Sequence, residues 1–316
     1  MNNRYIILLG CILLVLSACS SKADNKNSKS DKSVGLVVTE NGLGDESFSD
    51  SALLGVEKAR DEEGVLFDYR EPLEGDHEKQ MEELIQNDHD LIIGLSFRVQ
   101  EAMEKLAEKY PDQQFVLIDS VSDYDNITSI TFKEDEGSYL VGVIAGMRTT
   151  TNTVGFIGGE KISVVEKFEK GFTDGVKSVN PDAEVLVEYT NTFGDDEKGA
   201  ETARKQIENG ADFVFPAAGF TGIGALKEAQ KQGIYAFGVD SDQYYIAEEA
   251  IVTSMLKRVD NAIYEMAKQL KDGKKFTGEH KVLGLDQGGV GLAPIRLIEL
   301  TNEEQAILEQ AQGKGN

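Results

Sequence analysis

Leu91-Ile92-Ile93-Gly94-Leu95, then residues 99–109, then Phe115-Val116-Leu117-Ile118-Asp119 decide the fold of this chain. The outer two are short apolar runs without alternation. The middle segment has apolar residues at helical spacing and stops before Pro111. A strand with one wet face alternates, whereas a continuously apolar strand is buried on both faces. The unit therefore predicts parallel strands covered by helices, an α/β architecture.

The same rhythm extends in both directions. Towards the N-terminus, 34–38 and 66–69 read as strands, with helices at 48–62 and 76–87. Residues 126–131 form a further strand candidate. The pattern then restarts with a helix rich in small residues at 134–148. Strands follow at 153–157, 183–189, 213–215 and 234–239, separated by helices at 164–179, 198–209 and 222–232. Met255, Val259, Ile263, Met266 and Leu270 are spaced near 3.6 residues apart, which predicts one long helix over 252–270. A late strand at 281–285 and a short helix at 303–312 complete the chain. Two similar α/β lobes account for the repetition better than one large domain.

The first residues have a different character. Arg4 precedes an almost wholly apolar run over 5–16, too short for the roughly 20 residues of a spanning helix. It has the proportions of a signal-peptide core, ending in Leu16-Ser17-Ala18-Cys19. That ending resembles the lipobox of bacterial lipoproteins. The resemblance implies cleavage after Ala18 and diacylglyceryl transfer to the Cys19 sulfur. Residues 20–33 are Ser, Lys, Asn and Asp without a large apolar side chain, so they read as a flexible leash. Cys11 leaves with the signal segment and Cys19 takes the lipid, so the folded body has no disulfide or thiolate metal site. The expected anchor is the outer face of a cell membrane, an arrangement suited to a Gram-positive cell with no periplasm.

The 56 acidic residues against 32 basic ones argue against a nucleic-acid backbone as partner. No phosphate loop, dinucleotide fingerprint or nucleophile elbow is present. His77, His89 and His280 form no metal-ligand spacing, so no catalysis, cofactor or metal is expected.

Several segments resemble the basic membrane lipoprotein family, whose best known members are purine nucleoside receptors of ABC importers. They are residues 42–49 (GLGDESFS), 134–146, 154–159 (VGFIGG), 168–172, 192–195, 217–224, 238–243, 253–260 and 288–292. Their order and spacing run from Val34 to about Leu300, nearly the whole mature chain. The resemblance implies a type I periplasmic-binding-protein fold, with two lobes, three crossover segments and a ligand in the cleft. The expected partition is signal 1–18, tether 19–33, a first lobe of 34–127 plus 252–279, a second of 128–251 plus 280–300, and a C-terminal helix and tail over 301–316. Hinges are expected near 124–130, 245–252 and 276–281.

In open α/β sheets ligands sit beyond the carboxyl ends of the strands. Asp45, Ser49, Ser96, Asp119, Phe193, Gly219 and Asp240 all lie just after predicted strands. The resemblance implies that Phe48 and Phe193, taken as equivalent positions of the two lobes, stack a purine between them. Phe97 is a further aromatic candidate. By the same resemblance Asp45 and Asp119 accept hydrogen bonds at the base end, apt for a guanine-type edge. Each also fits a turn or cap. Ser49 stands where many family members carry Asn, which opens the question of base preference. Asp240 and Lys257 are implied to grip the ribose hydroxyls, with Asp242 a competitor for Asp240. Gly219 and Gly289 read as close-approach positions.

A phosphate would meet several carboxylates and one lysine, so a neutral nucleoside is the expected ligand, guanosine first, then inosine or adenosine. The resemblance further implies a monomeric receptor working with a permease and a separate ATPase. A sugar or furanone ligand, or a surface sensor uncoupled from import, are the competing readings.

Overall fold

A computed structural model describes residues 32–313. The signal segment, Cys19 and most of the tether lie outside the described residues, as does the extreme tail. Lys32 and Ser33, expected in the tether, belong to the body: Ser33 opens the first strand and Lys32 pairs with Asp90.

The apolar runs become the inner strands of two sheets. The first contains β1 (Ser33–Val37), β2 (Leu66–Arg70), β3 (Leu91–Leu95), β4 (Gln114–Ile118), β5 (Ile127–Phe132) and β11 (His280–Leu283). Its order is β11-β5-β4-β3-β1-β2 and every pairing is parallel. The second contains β6 (Thr153–Gly158), β7 (Glu184–Tyr189), β8 (Phe213–Ala217), β9 (Tyr235–Asp240), β10 (Ile251–Lys257) and β12 (Val290–Leu292). Its order, β12-β10-β9-β8-β6-β7, repeats the first, with only β12 antiparallel. Every residue of β3 and β8 is buried, as continuous apolar strands require.

Helices α1 (Phe48–Glu63), α2 (His77–Gln86), α3 (Gln100–Lys109) and α8 (Val259–Lys271) accompany the first sheet. Helices α4 (Glu134–Arg148), α5 (Ser163–Val179), α6 (Asp196–Glu208), α7 (Phe220–Gln232) and α9 (Asn302–Gln312) accompany the second. The small residues of α4 have a packing reason. A Cβ at Gly142 would lie 2.2 Å from the Phe172 carbonyl oxygen, and one at Gly175 2.1 Å from that of Tyr139. Only glycine lets the α4 and α5 backbones approach so closely, and this seats the start of α5 at the cleft.

The expected helix over 252–270 is instead strand β10 followed by α8. Ile251, Val252 and Thr253 are β-branched and favour a strand. Helical spacing becomes decisive only from Val259 onward. The sheets also shift the expected lobe boundaries. Residues 127–132 and 280–283 join the first sheet, while 251–257 and 290–292 join the second. The chain crosses between lobes at Lys133, at Arg258 and through 284–289, rather than at 124–130, 245–252 and 276–281. Strand membership follows long-range pairing, such as His280 opposite Ser129, which local pattern does not reveal.

Candidate functional site: an interlobe cleft

Both sheets aim their carboxyl ends at one cleft. It encloses about 880 Å³ of non-atom space, open mouth included. Asp45, Phe48, Ser96, Phe97, Asp119, Phe193, Gly219, Asp240 and Lys257 all line it. Asp119 and Asp240 close equivalent strands, β4 and β9. Both are held at positive φ, 64° and 65°, an uncommon conformation that Asp tolerates better than most residues. Gly219 is at φ 55°, and its missing side chain leaves room beside Phe193.

Lys257 is the hub. It ends β10 and is only 2 % exposed. Its ammonium bonds to Asp119 Oδ2 and lies 3.1 Å from Glu134 Oε1. The rings of Phe48, Phe132 and Phe168 surround it at 5.0, 5.2 and 5.7 Å, within cation–π reach. Burial alone would strip this proton. Asp119, Glu134 and Asp240 more than offset burial and hold the Lys257 pKa above the ordinary lysine value. Burial pushes Asp119 up to about 6; Lys257 opposes the shift and Glu134 adds to it. Burial likewise pushes Asp240 up to about 6, against the pull of Lys257 and the Ser47 hydroxyl. Asp119 Oδ1 is buried with no hydrogen-bond partner, an acceptor ready for a donor in the cleft.

Several expectations change. Lys257 pairs with Asp119, not with Asp240, whose Oδ2 instead accepts from the Ser47 hydroxyl. Asp45 is a cap: Oδ1 accepts from the Ser47 and Asp50 N–H groups at 3.0 and 3.2 Å, and Oδ2 from that of Ser49 at 2.9 Å. These bonds satisfy the start of α1. Burial still raises the Asp45 pKa, with those N–H groups opposing. Ser49 is fully buried outside the lining, its hydroxyl 2.9 Å from that of Thr39. Gly289 also lies outside it. A Cβ there would meet Leu283, the last residue of β11, at 2.3 Å, so the close approach is between the two ends of one crossover segment. Asp242 is held by both Arg296 nitrogens, at 2.9 and 2.7 Å, and does not compete with Asp240.

Phe193 does line the cleft, but from the loop after β7. The matched strand orders pair β1 with β6, so the counterpart of Phe48 lies near the start of α5, where Ile162, Val164 and Phe168 line the wall. Phe97 is 42 % exposed, stacked near Arg98 at the mouth. Sequence reasoning missed Glu134, Arg98 and Phe168. Glu134 opens a helix of small residues, and a wholly buried carboxylate is invisible to polarity patterns.

The lobes touch across the lips. The Glu46 carbonyl accepts from Ser241 Oγ at 2.9 Å and Gln243 Nε2 at 3.0 Å, and the Tyr245 hydroxyl donates to the Glu46 carboxylate. Arg98 bonds to both Glu160 oxygens at 2.6 Å. No helix among the described residues is long and apolar enough to cross a membrane.

Residues 32–314 match the Bmp family, described as ABC transporter substrate-binding protein PnrA-like. A "CD4+ T-cell-stimulating antigen" of Listeria innocua is 38% identical over 309 residues, 89% of this chain and 86% of that protein. The "ABC transporter nucleoside-binding protein BmpA" of Lactococcus lactis is 32% identical over 320 residues, 92% of this chain and 91% of that protein. The structure of an ABC transporter solute-binding protein from Aeropyrum pernix superposes with a TM-score of 0.80 at 29% identity, covering 90% of each chain. The two matched parallel sheets thus form the type I periplasmic-binding-protein fold. A cleft lined from both lobes is what a receptor needs: the chain belongs to the Bmp family of PnrA-like substrate-binding proteins of ABC transporters.

Proposed function

We propose that this protein captures purine nucleosides, guanosine foremost, and delivers them to an ABC permease driven by a separate ATPase. Cys19 and the leash would hold it at the outer face of the cell membrane. The observation that carries the reading is the unpartnered Asp119 oxygen in an aromatic-lined cleft. A carboxylate accepts and never donates, so it calls for a ligand edge rich in N–H or O–H groups. Phe48 and Phe193 offer ring faces to a flat base, where stacking is worth roughly 1–3 kcal/mol.

The charge balance favours a nucleoside over a nucleotide. Glu40, Asp45, Asp119 and Asp240 line the cleft against Lys257, already shared between Asp119 and Glu134, and Arg98, already paired with Glu40 and Glu160. Little positive charge remains for a phosphate. The nucleoside named for the Lactococcus relative agrees with this chemistry.

Mass spectrometry of small molecules released from the purified protein tests the proposal. A purine nucleoside is expected. A phosphorylated compound or a free sugar would contradict it. Loss of nucleoside uptake on deleting the gene would separate import from sensing.

A further inference from the structure

We propose that Glu134 is a positioning residue of the ligand site: it holds the Lys257 ammonium in place against Asp119 and thereby sets what both groups present to the cleft. The inference rests on the nucleoside reading above.

The geometry singles out Glu134. It is the first residue of α4, directly after the crossover at Lys133, and is wholly buried. Lys257 ends β10, directly before the crossover at Arg258. Asp119 directly follows β4 in the other lobe. The three groups therefore meet where two chain crossings pass between the lobes. Glu134 does not line the cleft, so it acts through Lys257 and Asp119 rather than on a ligand. Its Oε1 is 3.1 Å from the ammonium yet off the hydrogen-bonding angle, so it acts by charge. Its Oε2 accepts from Lys167 of α5 at 3.2 Å. The start of a helix also favours a negative charge at this position.

Without Glu134, the ammonium would have Asp119 as its one close carboxylate. It would draw fully onto that group and be less available to a ligand hydroxyl. The charged groups facing Asp119 are Lys257, Glu134 and Lys167, and Asp240 feels the charges of Lys257, Asp45 and Asp119 in turn. Glu134 raises the Asp119 pKa and Lys167 lowers it. Removing each charge in turn must therefore move Asp119 in opposite directions.

The test is a carbon-13 carboxyl NMR titration of Asp119 in the ligand-free protein, its signal assigned by loss in Asp119→Asn. Glu134→Gln is expected to move the midpoint down by at least about half a pH unit. Lys167→Gln, at a half-exposed side chain and keeping an N–H donor for Glu134, is expected to move it up. Glu134→Gln is also expected to weaken guanosine binding by roughly tenfold at pH 7, equivalent to about 1.4 kcal/mol. Midpoints that stay put in both variants, or move the same way, overturn the proposal even if affinity falls. A wild-type protein that ignores guanosine would overturn the nucleoside reading instead, and the ligand-free titration would still decide the role of Glu134.

Discussion

The loop after β1 and the start of α1 bring Thr39, Glu40, Asn41, Asp45 and Phe48 to the cleft, and the counterpart after β6, a loop and the first turns of α5, brings Ile162, Val164, Val165 and Phe168. The contrast recurs at the next matched pair. Ser96 and Arg98 follow β3, whereas Ala218, Gly219 and Phe220 follow β8. The two lobes share a strand order but not a chemistry. The first is a mainly polar jaw, which on the proposed reading would fix a ligand's orientation through hydrogen bonds. The second is a largely apolar jaw that excludes water, and in doing so strengthens every electrostatic contact inside. Asp240 and Lys257 are the exceptions, polar groups of the second lobe that reach the ligand zone at the ends of β9 and β10. The difference teaches that duplication of a fold leaves each copy free to specialise, provided the strand ends still converge.

Removing Lys257 should break this division most severely. Lys257→Met would leave buried carboxylates without their cation. Stranding charges in this way costs about 3–5 kcal/mol, read as a lowered midpoint in thermal unfolding, with nucleoside binding lost. Phe193→Ala tests the apolar jaw. It should weaken guanosine by about 1–3 kcal/mol in calorimetry while leaving any weak ribose binding unchanged. An equal loss for ribose would place Phe193 outside the base contact.

Acidification probes the polar jaw. Ligand donors need ionised Asp119 and Asp240, both near 6, so guanosine affinity should fall through that pH and drop about tenfold per unit for each carboxylate the ligand requires. Stability should run the other way. The native state keeps protons that the unfolded chain has released above its ordinary value of 3.8. These two groups therefore add stability as pH falls from about 6 towards 4, and withdraw it as pH rises through the same window. Opposite slopes of binding and of the ligand-free unfolding midpoint are the signature. The smallest effect belongs to the lips. Arg98→Ala removes a partly exposed pair with Glu160 worth about 0.2–1 kcal/mol, and should speed ligand release by no more than a few-fold in stopped flow.

Much of the fold was legible because inner parallel strands must be apolar throughout, as Leu91–Leu95 and Gln114–Ile118 nearly are. The position of Asp119 and Asp240 followed directly, since strand ends are where such sheets bind. What pattern could not supply was pairing. Residues 251–257 carry apolar spacing compatible with either element, and only the partner β9 makes them a strand. Roles set by neighbours were equally hidden. Asp45 and Asp119 look alike in sequence, yet three backbone N–H groups claim one while the other keeps an oxygen free. Glu134 was missed because its importance comes from Lys257, more than a hundred positions away in the chain.

Calorimetric titration of the purified protein with guanosine, guanosine 5′-monophosphate and ribose bears most directly on the division between the jaws. The account predicts tight binding of guanosine, which offers a flat base to the aromatic wall and donors to Asp119 and Asp240, and much weaker binding of ribose, which lacks the base, and of the monophosphate, which adds negative charge. Ribose or the monophosphate binding as well as guanosine would contradict it.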